Sequence, residues 1–182
     1  MERTASITRN TKETQIALSL NLDGKGSYQV DTGIGFFDLN IQVKGDLQVD
    51  THHTIEDTGI VLGTAIKEAV GEKKGIRRYG SCILPMDECL VICAVDLCGR
   101  PYLSYESPFT VPRCGDMDTE MVKEFFYAIS YAAGMNLHIK TLTPGNNHHM
   151  MEAMFKAFAK ALDMAVSAEP RTDQVLSTKG SL

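Results

Sequence analysis

Apolar and polar positions alternate at the start of the chain. In ASITRNTKETQIALSLNL (5–22) the alternation predicts a hairpin of two strands, and LNIQVKGDLQVD (39–50) predicts a third. From Thr51 to Val70 the period changes. Ile55, Ile60, Leu62, Ala65, Ile66 and Val70 recur at helical spacing, and Gly71 supplies a stop signal. The second half repeats the order: RRYGSCILP and ECLVICAVDL as strands, DTEMVKEFFYAISYAAG as a helix closed by Gly134, MNLHIKTL as a strand, and HHMMEAMFKAFAKALDMA as a second helix. Each half thus ends in a strand, a short polar loop and a helix that opens on HHxxE. An internal duplication is the economical explanation. The expected fold is α+β, a single domain over 1–182 made of two similar halves (about 1–75 and 76–182), each a mixed β-sheet backed by α-helices.

The halves differ at one junction. In the second, a helix of several turns separates the hairpin from the third strand, whereas in the first only DGKGSYQVDTGIGFFD (23–38) stands between them. The first half is short by about a dozen residues, the size of one average helix. A segment is therefore expected to be missing between Asp38 and Leu39, left out of the sequence for want of order rather than deleted, so that the chain is discontinuous there.

A chain of 182 residues that is 43% hydrophobic can bury a substantial core. Its net charge of −5, with no dense Lys or Arg run, argues against nucleic-acid and anionic-membrane surfaces, so any phosphate must meet a local basic pocket. The polar start MERTASITRN and the lack of a long apolar stretch predict a cytoplasmic protein. Five cysteines without a CxxC pair read as reduced, structural thiols, with Cys89 and Cys93 on one face of a strand.

Four of the five histidines fall in the two HHxxE motifs: His52, His53 and Glu56 in the first, His148, His149 and Glu152 in the second. Imidazole nitrogen with carboxylate oxygen suits divalent ions such as Mn, Fe or Zn. On a helix the first His and the Glu face the same way, while adjacent histidines point about 100° apart. Two metals bridged by the paired motifs is the natural solution. The order also differs from HExxH, in which an internal Glu serves one zinc, so a zinc protease is disfavoured. His138, inside a predicted strand, reads as a structural residue or as one that supports a metal ligand from behind.

The stretches DTGIGFFD, DTHHTIEDTGIVLG, KKGIRRYGSCILPMDE, VDLCGRPYL, EFFYAISYAAGMNLHI and NNHHMMEAMFKAFAKAL together resemble the imidazoleglycerol-phosphate dehydratase family over nearly the whole chain. The resemblance implies a hydro-lyase of histidine biosynthesis that converts D-erythro-imidazoleglycerol phosphate to imidazole-acetol phosphate. It implies two manganese ions per site. One would be held by His52, Glu56, His149 and the residue at Glu124. The other would be held by His53, His148, Glu152 and a histidine that follows GFFD in the family, where this chain has Leu39. For the substrate phosphate the resemblance nominates Arg78, Arg100, Ser177, Thr178 and Lys179, with Lys156. Glu13 matches a substrate-contacting acid and is the candidate for proton transfer. The implied assembly is a homo-oligomer, a 24-mer built from trimers. Should the segment after Asp38 be truly deleted, the alternative is a metal-organised assembly without activity.

Overall fold

The structure, a computed structural model, describes residues 2–25, 38–180 and 182. Most of DTGIGFFD (31–38) lies outside these. The elements are β1 (Thr4–Asn10), β2 (Thr14–Asn21), β3 (Asp38–Gly45), α1 (His52–Val70), β4 (Tyr79–Met86), β5 (Cys89–Asp96), β6 (Tyr102–Glu106), β7 (Arg113–Cys114), β8 (Met117–Asp118), α2 (Glu120–Ala133), β9 (Asn136–Thr143) and α3 (Asn147–Val166). The fold is α+β. It divides into two compact units, Met1–Ala69 with Val111–Ala133, and Val70–Thr110 with Gly134–Leu182.

In the first unit β1, β2 and β3 form an antiparallel sheet in that order. The alternation that predicted β2 buries Ile16, Leu18 and Leu20 on one face. Asp38 and Leu39, between which a segment was expected to be missing, stand next to each other in β3, opposite Asn21 and Leu20. β3 ends at Gly45, earlier than the predicted Asp50, because the chain turns there: Val49 N–H donates to the Asp46 carbonyl at 2.8 Å. Helix α1 is tied to the β1–β2 hairpin through its buried Asp57, which accepts from Arg9 Nη2 at 2.8 Å and from Thr14 Oγ1.

Helix α2, which the sequence places in the second half, belongs to the first unit. Gly59 and Gly63 lie one turn apart on α1. A Cβ at Gly63 would stand 2.7 Å from the Ile129 carbonyl and 2.8 Å from Ala132 Cβ, and one at Gly59 would stand 2.8 Å from Ala128 Cβ. Two glycines accept what a regular apolar stripe could not, a second helix at backbone distance.

In the second unit the sheet order is β4-β5-β9-β6. β4, β5 and β9 are antiparallel, while β6 runs parallel to β9. The sequence reading missed β6, whose five residues YLSYE follow Gly99, Arg100 and Pro101 and carry only a faint alternation. Helix α3 turns Met150, Met154, Ala157, Phe158 and Ala161 toward the core. Cys89 and Cys93 are buried among the core side chains of β5, as their spacing predicted.

Candidate metal centre and anion cleft

Both HHxxE motifs occupy the first turn of a long helix, and both helices are started by the same device. Asp50 Oδ1 accepts from His52 N–H at 2.8 Å, and Asn146 Oδ1 accepts from His148 N–H at 2.9 Å, in each case two residues ahead. A short polar side chain so placed satisfies a helix N–H that has no carbonyl partner.

The first histidine of each motif faces its glutamate. His52 Nε2 lies 3.7 Å from Glu56 Oε2, and His148 Nε2 lies 3.5 Å from Glu152 Oε2. Ligand atoms bound at about 2.0–2.2 Å from an ion stand about 3 Å apart at neighbouring corners of its shell. Each pair therefore needs only a small rotation to share one ion. All four side chains are at least one-third exposed, so they can be reached.

The second histidine of each motif is held from the other side. His53 Nδ1 is 3.0 Å from Asp46 Oδ2, and His149 Nδ1 is 3.0 Å from Glu88 Oε2. The hydrogen bonds to Asp46 and Glu88 raise the pKa of His53 and of His149. Glu88 also accepts from Asn146 N–H at 2.5 Å, and with His149 this holds its carboxyl near 2. Asp46 Oδ1, Thr51 Oγ1 and Thr54 Oγ1 are buried without a hydrogen-bond partner among the described residues. Orphaned oxygens beside a histidine pair are what an ion or its waters would satisfy. The donor set fits a borderline divalent cation.

Among the described residues, Asp87, Glu88 and His149 form the one group of three potential ligands whose atoms lie within 4.8 Å of one another. The sequence reading did not nominate Asp87 or Glu88. A two-residue hairpin turn gives no signal of its own, and the fold alone brings it to α3. Glu124 is half-buried on α2, and its charge acts on Tyr127.

Glu13 sits in the β1–β2 turn and lines a cleft of about 270 Å³ with Thr11, Lys44, Asp46 and Gln48. Its charge helps to raise the His53 pKa. The candidate proton-transfer group thus shares its cleft with Asp46, the carboxylate that meets His53.

The expected phosphate contacts converge in the second unit. Arg78, Arg100, Ser177, Thr178 and Lys179 line a cleft of about 390 Å³ with Tyr79 and Leu182. Lys179 N–H donates to Ser177 Oγ at 3.2 Å and Gly180 N–H to the Ser177 carbonyl at 3.0 Å, which curls the chain around the opening. Arg78 adopts the left-handed region with φ 69°, a conformation that a bulky residue holds only under constraint and that recurs at functional sites. Lys156 is not in this cleft. It pairs with Glu152 Oε1 at 2.5 Å one turn back on α3, and lowers that carboxyl's pKa. His138 is exposed on β9, where its ring centroid lies 5.6 Å from that of Tyr102.

The sequence model of the imidazoleglycerol-phosphate dehydratase family matches residues 28–162. An imidazoleglycerol-phosphate dehydratase of Lachnoclostridium phytofermentans is 64% identical over 195 aligned positions that cover 100% of both chains. One of Acetivibrio thermocellus is 51% identical over 195 positions, again covering 100% of both. Among solved structures, imidazoleglycerol-phosphate dehydratase of Staphylococcus aureus superimposes with a TM-score of 0.80 at 37% identity, covering 91% of this chain and 99% of that one. The Pyrococcus furiosus protein, solved with (S)-C348, gives 0.79 at 32%, covering 97% and 100%.

Proposed function

This chain belongs to the imidazoleglycerol-phosphate dehydratase family, whose members are hydro-lyases of histidine biosynthesis, and we propose that it removes water from D-erythro-imidazoleglycerol phosphate with the help of two manganese ions. The observation that carries the reading is the duplicated HHxxE geometry, with matching His–Glu separations of 3.7 and 3.5 Å and matching 3.0 Å carboxylate contacts to the second histidine.

Arg100 and Lys179 supply positive charge at the cleft, and Ser177 and Thr178 supply hydroxyl donors, as a phosphate requires in an acidic protein. The proton to be removed sits on a carbon with no adjacent carbonyl, so its acidity comes from the substrate's imidazole. Manganese, when bound, would act as Lewis acid on that ring and as template for the diol. His52, Glu56, Glu124 and His149 would hold one ion, and His53, His148 and Glu152 the other. Glu13 moves the proton, from a cleft it shares with Asp46. A dehydratase assay with manganese added to metal-free protein tests this: turnover should appear with the metal and collapse in Glu13→Gln at unchanged metal content. No turnover at any manganese concentration overturns it.

Ions that tie together ligands from neighbouring chains couple metal to assembly, so manganese should also organise the homo-oligomer, which we take to be the 24-mer of trimers and to work in the cytoplasm. No helix among the described residues is long and apolar enough to cross a membrane. Sedimentation with and without manganese tests the coupling. A second reading, metal-organised assembly without catalysis, is favoured by Leu39 standing where the family's histidine is expected. It predicts that manganese changes sedimentation but elicits no turnover.

A further inference from the structure

The two carboxylates that meet the second histidines come from unrelated places in the repeat. Asp46 lies between β3 and α1, just ahead of its own HHxxE. Glu88 lies in the β4–β5 turn, far in sequence from His149. Duplication of a half would have put both partners at the same repeat position. Instead two different elements deliver a carboxylate oxygen to the same ring atom at the same 3.0 Å. The shared feature is the demand on the ring, not descent of the partner.

We propose that Asp46 and Glu88 are positioning residues, each accepting from Nδ1–H of its histidine so that Nε2 of His53 and of His149 is the nitrogen presented to metal. A neutral imidazole carries one N–H and one lone pair, so a fixed acceptor at Nδ1 decides which nitrogen can ligate. Such outer carboxylates also lock ring orientation and strengthen the ligand. Each carboxylate is itself anchored. Glu88 is gripped by Asn146 N–H. Asp46 is largely buried beside the turn it starts, its side chain 14% exposed. Asp87 differs: its side chain is 71% exposed and lies 3.6 Å from His149 Nε2, the nitrogen that should remain for metal.

The proposal rests on the manganese reading, and its test separates the two. In metal-free protein, nitrogen NMR of the rings above their titration range should show His53 and His149 protonated on Nδ1. Asp46→Ala and Glu88→Ala should each return one ring to the Nε2–H form that free imidazole prefers. Manganese affinity, measured by electron paramagnetic resonance, should fall about 10–100-fold in each Ala variant. Asp46→Asn and Glu88→Gln keep an oxygen acceptor and should recover most of it. Wild-type rings protonated on Nε2, or Ala variants binding manganese as tightly as wild type, overturn the proposal. Nδ1–H rings in a protein that binds no manganese uphold it and refute the manganese reading.

Discussion

Arg78 grips Asp96 with two nitrogens: Nε donates to Oδ1 at 2.7 Å and Nη2 to Oδ2 at 3.1 Å, while Nη1 donates to the Leu176 carbonyl at 2.7 Å. Three of the five guanidinium donors are thereby committed, leaving two for a phosphate. The family resemblance nominated both Arg78 and Arg100, yet one is a buried brace for the segment that carries Ser177 and Lys179, and the other is exposed at the cleft.

Arg78→Ala should therefore lose stability as well as binding. It strands Asp96, and removing one partner of a largely buried pair costs about 3 kcal/mol. Arg100→Ala should change stability by no more than about 0.5 kcal/mol while raising KM. Urea unfolding beside steady-state kinetics checks both, and equal stability of the two variants would contradict the division.

Gly63→Val should destabilise the first unit although valine has the better helix propensity. Its Cβ would meet the Ile129 carbonyl at 2.7 Å, a backbone atom that cannot rotate away. Overpacking of this kind costs about 1–3 kcal/mol, more than the few tenths gained over glycine. Thermal unfolding should show a lower Tm, and a raised Tm would mean that the helices separate freely.

Period and punctuation made most of the architecture legible: β2, β5, β9 and the helices follow apolar spacing, and Gly134 ends α2 with φ 65°. The HHxxE motifs were legible because each chemistry sits within one turn. Glu88 and Asp96 were not, since they act across the fold on residues 61 and 18 positions away. The membership of α2 was hidden for a like reason, because Gly59 and Gly63 look like helix weaknesses until the helix they admit is seen.

Asp23 should contribute an acid-sensitive part of the hairpin's stability. It accepts from Arg3 N–H at 2.8 Å and Nε at 3.0 Å, chiefly through the side-chain bond, which lowers its pKa from the ordinary 3.8. A carboxyl lowered in the fold stabilises above its unfolded pKa and loses that contribution as pH falls through the folded one. The pair is partly exposed, so its worth stays within about 1 kcal/mol. Asp23→Asn should lower Tm slightly at neutral pH, and the difference should shrink as pH falls below 3.8 and vanish once the lowered folded value is passed. A difference that persists in acid would assign the effect to the backbone turn instead.

Manganese should bind this chain unequally. The alignment to the Lachnoclostridium phytofermentans relative runs over 195 positions against 182 residues here, so about thirteen of its positions have no counterpart. That number matches the dozen or so residues by which the first half falls short of the second; should these be the helix it lacks, the histidine that the family carries after Asp38 goes with them. The set of His52, Glu56, Glu124 and His149 would then be complete, whereas His53, His148 and Glu152 would lack a fourth protein ligand. Loss of an outer carboxylate alone weakens metal binding about 10–100-fold, and loss of a direct ligand should exceed that. Titration of metal-free protein should give one tight equivalent per chain and a second weaker by more than about 100-fold. Inserting the relative's segment between Asp38 and Leu39 should equalise the two and raise turnover. Two equally tight equivalents without the insertion would show that the second ion does not depend on the missing histidine.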